Sequence, residues 1–254
     1  MRNGPPRPPP PPGWLIAFEG VEGAGKTTQL EFLRRELEAR GYKVVVTREP
    51  GGTRVGERIR ALLLDPEAGD GELGARTEAL LFAAARAELV QRVIQPALER
   101  GQVVLCDRFI DSSLVYQGVA RGLGHRAVAA VNDFATGGLQ PDLVVLLRLD
   151  PAEGLARARD RRQERAADRI EAEDLRFHRL VEQGFLLLAA EQPERFAVID
   201  AAPPVEQVAA EVRRAVLRRL SRARPRHPPT PTDAQPEQPE AWGAAPQPPT
   251  RERR

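Results

Sequence analysis

The chain has 254 residues, of which 38 are basic and 36 acidic, so its net charge of +2 carries no global basic excess that would argue for nucleic acid. A single cysteine, Cys106, excludes an internal disulfide framework, and the scattered His125, His178 and His227 give no zinc-ligand spacing. No apolar run reaches the ~20 residues of a membrane span, and prolines stand where a signal peptide needs an apolar region, so a cytoplasmic setting without a membrane partner is expected.

Proline usage marks the ends of the folded part. Seven of the 24 prolines lie within Pro5–Pro12 and nine between Pro225 and Pro249. Residues 1–13 and 221–254 therefore read as unpacked, proline-rich tails around one domain spanning 14–220.

Within that domain the apolar run Trp14–Phe18 predicts a buried parallel strand. Gly20-Val21-Glu22-Gly23-Ala24-Gly25-Lys26-Thr27, with Thr28 after it, fits G-x-x-x-x-G-K-[ST], the phosphate-binding loop. A helix follows, with Leu30, Leu33 and Leu37 on one face and Gly41 placed to end it. The glycines let backbone N–H groups turn inward around phosphate oxygens, and the helix N-terminus adds partial positive charge. Lys26 can then reach the β- and γ-phosphates of a nucleoside triphosphate, and the Thr27 hydroxyl can ligate Mg2+. Of the 38 basic residues only Lys26 and Lys43 are lysines. A chain that uses arginine nearly everywhere keeps a compact point charge at this loop.

Further along, Val44–Thr47 predicts a second strand, and Pro50-Gly51-Gly52 forces a loop. Helices are expected over Val55–Leu64 and Thr77–Glu99, the second bent near its end by Pro96. Gln102–Cys106 predicts a strand running into Asp107, a carboxylate placed to hold Mg2+ opposite Thr27. Asp111 is expected to cap a helix to Arg121, with another over Arg126–Thr136 before Gly137-Gly138. Leu143–Leu149 reads as a strand, Pro151 starts an arginine-rich helix, and Glu171–Glu191 is a further helix. Phe196–Ile199 is the last strand, followed by an amphipathic helix carrying Val205, Val208, Val212, Val216 and Leu220. Strands alternating with helices predict an α/β fold of the P-loop type, a doubly wound, five-stranded parallel sheet. Ligands of such sheets bind beyond the carboxyl ends of the strands, where Gly20, Arg48 and Asp107 fall.

Several motifs occur together and in order: the loop at 20–28, Thr47–Thr53 (TREPGGT), Leu81–Arg86 (LFAAAR), Asp107–Ser113 (DRFIDSS), Tyr116–Gly118 (YQG), Pro141-Asp142 and Asp168–Glu171 (DRIE). Over residues 14 to 217 the chain resembles the bacterial thymidylate kinases, in the variant whose catalytic arginine comes from a mobile lid. The resemblance implies transfer of the γ-phosphate of ATP to dTMP, giving dTDP, with Mg2+ and no nucleic-acid partner. It implies that Phe82 stacks on the thymine ring and Arg86 donates to a base carbonyl. Tyr116 would lie beneath the deoxyribose, Ser112, Ser113 and Gln117 would line the base and sugar site, and Glu22 would meet the 3′-hydroxyl. Arg48, Arg60 and Arg108, with Glu49 and Pro50 close by, would surround the acceptor phosphate, a use that suits arginine's bidentate fork. Lys26 and Arg108 would be catalytic, together with a lid arginine.

The lid resembles residues 157–169, where Arg157, Arg161 and Arg165 recur every four residues along one helical stripe. Ala24 leaves the phosphate loop without an arginine, which fits that variant. Arg148 departs from the family, which usually has Asp there, and Leu180 and Glu182 stand where arginines are frequent. A homodimer is implied by the resemblance alone. Two rivals stay open at this stage: a P-loop kinase for another small molecule, and a non-catalytic module that binds ATP to regulate a partner.

Overall fold

Five apolar runs form the strands of the computed structural model, which describes residues 13–65, 73–162 and 167–221. Nearly all of both expected tails, and Arg165, lie outside the described residues. β1 (Trp14–Glu19), β2 (Val44–Arg48), β3 (Val103–Asp107), β4 (Leu143–Arg148) and β5 (Phe196–Asp200) make one parallel sheet in the order β2-β3-β1-β4-β5. The helices are α1 (Lys26–Ala39), α2 (Arg54–Leu64), α3 (Ala75–Leu89), α4 (Gln95–Glu99), α5 (Ile110–Ser113), α6 (His125–Thr136), α7 (Pro151–Arg162), α8 (Leu175–Glu191) and α9 (Val205–Leu220). The expected five-stranded α/β architecture is the one observed.

Alternation along β1 splits the core. Ile16 and Phe18 pack with Val103 and Leu105 against α1, α8 and α9. Leu15 and Ala17 pack with Val104 and Cys106 against Leu89, Ile94, Ala97 and Leu98 of the α3–α4 run. The period of two sends successive side chains to opposite faces, so burial on both sides requires continuous apolar runs. Register then aligns the functional ends: Arg48 pairs with Asp107, and Asp107 with Phe18.

Three helical features expected from the sequence turn out differently, and each has an identifiable physical reason. The bend near Pro96 is a π-helical turn over Val90–Ile94, placed before the proline, which enters α4 in its first turn. The proline ring conflicts with the carbonyl four residues earlier, and the wider turn accommodates it. Asp111 does not cap a helix. It lies inside α5 with no side-chain cap at Phe109, and its carboxylate takes two hydrogen bonds from Arg195, at 2.5 and 3.2 Å. The helix expected from Glu171 begins at Leu175, because Asp174 caps Phe177 N at 2.8 Å. Upstream, the Asp168 carboxylate accepts from Ile170 N and Glu171 N at 3.0 and 2.9 Å, which holds a turn there.

Asp111 is fully buried and Arg195 nearly so. Replacing one partner leaves the other charge in the interior, so Asp111→Asn is expected to cost about 3 kcal/mol of stability. Urea denaturation of the variant beside the parent chain checks it, and a loss below about 1 kcal/mol, the range of a surface pair, contradicts it.

Candidate active site

Beyond Glu19 the backbone enters the glycine loop with positive φ at Gly20, Gly23 and Gly25 (136°, 72° and 87°), a region that side chains disfavour. Gly25 is the N-cap of α1 and offers no side-chain acceptor, so the first-turn N–H groups are available to an anion. The loop leans on α7: a Cβ at Gly23 would stand 1.9 Å from the Gly154 oxygen. Lys26 folds back onto the loop, donating from Nζ to the carbonyls of Gly20 and Val21 at 3.2 and 2.9 Å. Burial pushes its pKa down, and Arg108 adds to the effect. Thr27 donates from Oγ1 to Asp107 Oδ2 at 2.8 Å, bringing together two hard oxygen donors that are 80 residues apart in sequence.

Arg108, at the end of β3, has φ 71°, a conformation unusual outside glycine. Its Nη1 donates to Gly20 O at 3.1 Å and to Ser112 Oγ at 3.3 Å, and its Nη2 pairs with Glu22. The guanidinium also sits 5.1 Å from the centre of the Tyr116 ring. Burial opposes ionisation of Glu22, but Arg108 and Lys26 outweigh it and hold its carboxyl down to about 2. Beneath them, the fully buried Glu19 accepts from Phe109 N, Ser112 N and Ser112 Oγ at 2.9, 3.1 and 2.6 Å. Burial pushes its carboxyl up to about 7, against the pull of Arg108.

A cavity of about 540 Å³ opens above these groups. From the phosphate loop it is lined by Glu22, Gly23, Gly25, Lys26 and Thr27, and from β3 by Asp107 and Arg108. Arg48, Glu49, Pro50 and Arg60 also line it, as do Phe82, Ser112, Ser113, Tyr116 and Gln117. Arg48 is exposed and paired with Glu57 at 3.0 Å, and Arg60 donates to Pro50 O at 3.0 Å. Burial and the neighbouring Arg48 both lower the pKa of Arg60, so an anion between the two guanidiniums would relieve their repulsion.

Not every expected residue reaches the wall. Gly20, Val21, Ala24 and Thr28 belong to the loop but do not line the cavity. Arg86 lies behind it, with Nε and Nη2 on Glu49 at 2.8 and 2.6 Å, Nη1 on Asn132 Oδ1 at 2.6 Å and Nη2 on Ser113 Oγ at 3.0 Å. Of the lid arginines, Arg161 lines the cavity. Arg157 turns away to the carbonyls of Ala201 and Ala202 and to Glu153. Arg148 is exposed at the end of β4.

Sequence reasoning passed over several residues that shape the site. Glu57 clamps Arg48 and the Gly52 N–H, Asn132 receives Arg86, and Glu19 and Glu78 are buried carboxylates. His178 is also buried, and neither ring nitrogen has a hydrogen-bond partner among the described residues. Two of these carried a usable signal. Glu19 is the polar end of an apolar strand, and Glu78 is four residues before Phe82 on one helical face.

Comparison with known proteins identifies relatives over most of the chain. A model of the thymidylate kinase family matches residues 18–212. The thymidylate kinase of Deinococcus radiodurans is 53% identical over 207 residues, covering 82% of this chain and 98% of that protein. The thymidylate kinase of Desulfovibrio desulfuricans is 50% identical over 215 residues, covering 82% and 98%. The crystal structure of a thymidylate kinase from Ehrlichia chaffeensis superposes with a TM-score of 0.65 at 32% identity, covering 81% of this chain and all of that one.

Glu19 sets a pH dependence. Folded, it holds its proton up to about pH 7, against an ordinary value of 4.5, so the folded chain binds the extra proton between those values. Stability attributable to Glu19 therefore falls as pH rises through that window, whereas His178, whose pKa burial lowers, acts in the opposite sense below 6.5. Glu19→Gln keeps the uncharged form, so relative to the parent it should gain up to ~3 kcal/mol between about pH 5 and pH 8. Denaturation at both pH values measures the difference, and parallel profiles would contradict the assignment.

Proposed function

The chain belongs to the thymidylate kinase family, ATP-dependent enzymes that convert dTMP to dTDP, and we propose that donor and acceptor meet in the cavity above the sheet. One observation carries the reading: the glycine loop and an arginine-bearing wall open into the same cavity, with Asp107 and Thr27 between them. A non-catalytic ATP module has no use for that second wall.

In this reading the triphosphate lies on the loop formed by residues 20–28, its oxygens facing the first-turn N–H groups of α1. Lys26 exchanges its two carbonyl partners for phosphate oxygens. The acceptor phosphate sits among Arg48, Arg60 and Arg108, close to Glu49 and Pro50. The base stacks on Phe82 with Ser112, Ser113 and Gln117 around it, the sugar rests on Tyr116, and Glu22 meets its 3′-hydroxyl. Arg86 serves the acceptor site by holding Glu49 and Ser113 in place, the role its contacts favour. Among the described lid arginines, Arg161 is the one with access to the transferring phosphoryl group, since Arg157 is engaged elsewhere.

Thr27 and Asp107 suit Mg2+, a hard cation that is commonly bound by one or two protein oxygens and completed by phosphates and water. When bound, the ion neutralises charge on the phosphates. An acceptor phosphate is already ionised at neutral pH, so the chain needs no strong general base. It contributes positioning and charge stabilisation from Lys26, Arg108 and Arg161. The proposed domain is residues 14–220, and the proposed setting is the cytoplasm, where the donor ATP is at hand. Among the described residues no helix is long and apolar enough to cross a membrane.

A homodimer belongs to the same proposal. Leu62 on α2, Leu80 on α3 and Phe134 on α6 are exposed, Phe134 by 93%, and α3 packs against both of the other helices. An apolar group on each of three neighbouring helices suits a second copy of the chain.

Coupled measurement of ADP release with a panel of nucleoside monophosphates tests the activity. Turnover should depend on dTMP, its absence would sink the reading, and equal rates with dUMP would show the base site misplaced. Phe82→Ala should raise the dTMP KM by about tenfold or more, the worth of one base–aromatic stack, with the ATP KM little changed. Phe134→Glu should shift the chain from dimer to monomer in light scattering, and a parent chain that is already monomeric removes the dimer from the proposal.

A further inference from the structure

Beside the cavity, side chains from two segments, Gln117 with Arg121 on one and Arg169 on the other, meet the carboxylate of Glu78. This residue is 1% exposed and stands one helical turn before Phe82 on α3. Gln117 donates from Nε2 to Glu78 Oε1 at 2.7 Å. The guanidinium nitrogens of Arg121 and Arg169 lie 3.3 and 2.6 Å from Oε2. Arg121 also pairs with Glu173 at 2.6 Å and covers the Phe177 ring at 4.7 Å. Arg169 reaches back to α2, donating from Nε to Leu63 O at 3.0 Å and from its backbone N to Leu64 O at 3.3 Å.

The neighbours of these groups form the cavity wall. Gln117, Leu64, Asp168, Ile170 and Glu171 all line it. Arg169 lies between Asp168 and Ile170, so its attachments to Glu78, Leu63 and Leu64 together hold residues 168–170 against the cavity. One carboxylate thus offsets two guanidiniums in a buried place and orients an amide that faces the ligand. Replaced by a neutral amide, it would leave two like charges close together with little water to screen them. Arg121 would retain Glu173, and Arg169 would lose the carboxylate 2.6 Å away.

We propose that Glu78 is a positioning residue for the acceptor nucleotide: it docks the segment at residues 168–173 and the Gln117 amide against the pocket that opens beside Phe82. The proposal rests on the acceptor-site assignment above. Glu78 touches no substrate and acts through Gln117 and Arg169. None of the residues that meet Glu78 belongs to the glycine loop, so the effect is expected on dTMP rather than on ATP.

Steady-state kinetics of Glu78→Gln, with circular dichroism to establish the folded fraction, test it. The dTMP KM should rise about tenfold or more, the worth of one such interaction, with the ATP KM within about twofold of the parent. Adding Arg169→Gln to Glu78→Gln should raise the dTMP KM by less than the product of the two single effects, because the two changes share the Glu78–Arg169 link. A lower melting temperature with an unchanged dTMP KM, or a parallel rise in the ATP KM, overturns the proposal. If Glu78→Gln does not fold, Arg169→Gln carries the same two readouts, with an unchanged dTMP KM again overturning it. The parent chain run alongside separates the two levels. Absence of dTMP turnover in the parent sinks the functional reading and this proposal together, whereas normal parent turnover with an unaffected variant sinks this proposal alone.

Discussion

At the carboxyl end of β1, the buried side chain of Glu19 accepts from Phe109 N, Ser112 N and Ser112 Oγ. Those three bonds join the strand that feeds the phosphate loop to the turn that follows β3. The turn reverses sharply because Arg108 takes φ 71°, a backbone conformation costing on the order of 1 kcal/mol for a side chain. It persists because it is held from several directions: Arg108 N donates to Phe18 O at 2.9 Å, and its guanidinium meets Gly20, Glu22 and the Tyr116 ring. The strained turn places Arg108 on the loop rim and sends α5 beneath the cavity, from which Ser112, Ser113, Tyr116 and Gln117 follow.

The same logic recurs in the buried ion pairs. Arg86 with Glu49, Arg195 with Asp111, and the cluster at Glu78 each join elements far apart in sequence. A buried pair adds little net stability, because desolvation offsets most of the Coulomb attraction. Its value here is geometric, since an arginine fork with several acceptors has one arrangement that satisfies them all. Arg86 shows this best, spending donors on Glu49, Asn132, Ser113 and the Phe109 carbonyl at once. The exposed Arg48 and half-buried Arg60 are the contrast: less committed to internal partners, they remain free to answer an anion.

Much of the fold was legible because its signals are local. Trp14–Phe18, Val103–Cys106 and Leu143–Leu147 are continuous apolar runs, and such runs bounded by turn residues have few alternatives to a buried strand. The glycine loop was legible for the same reason, its spacing being the backbone geometry itself. Misreadings occurred where a local signal competed with a distant partner. Asp111 has the chemistry of a cap but is drawn into a pair with Arg195, 84 residues away. Asp168 and Asp174 divide one expected helix start between a turn and a cap. Glu19 and Glu78 carried only a faint local signal, a strand end and a helical face shared with Phe82, because the partners that bury them lie far away in sequence.

By itself, the sequence determined the strand and helix periodicities, the phosphate loop and the set of motifs that places the chain among the thymidylate kinases, since each depends on spacing along the chain. Only the tertiary structure decided that Arg157 faces away while Arg161 lines the cavity, that Arg86 stands behind the wall, and that Glu19 and Glu78 are buried among distant partners. The reason is that a charged side chain's role depends on the burial and partners around it. Those are set by residues brought close in space, which spacing along the chain does not encode.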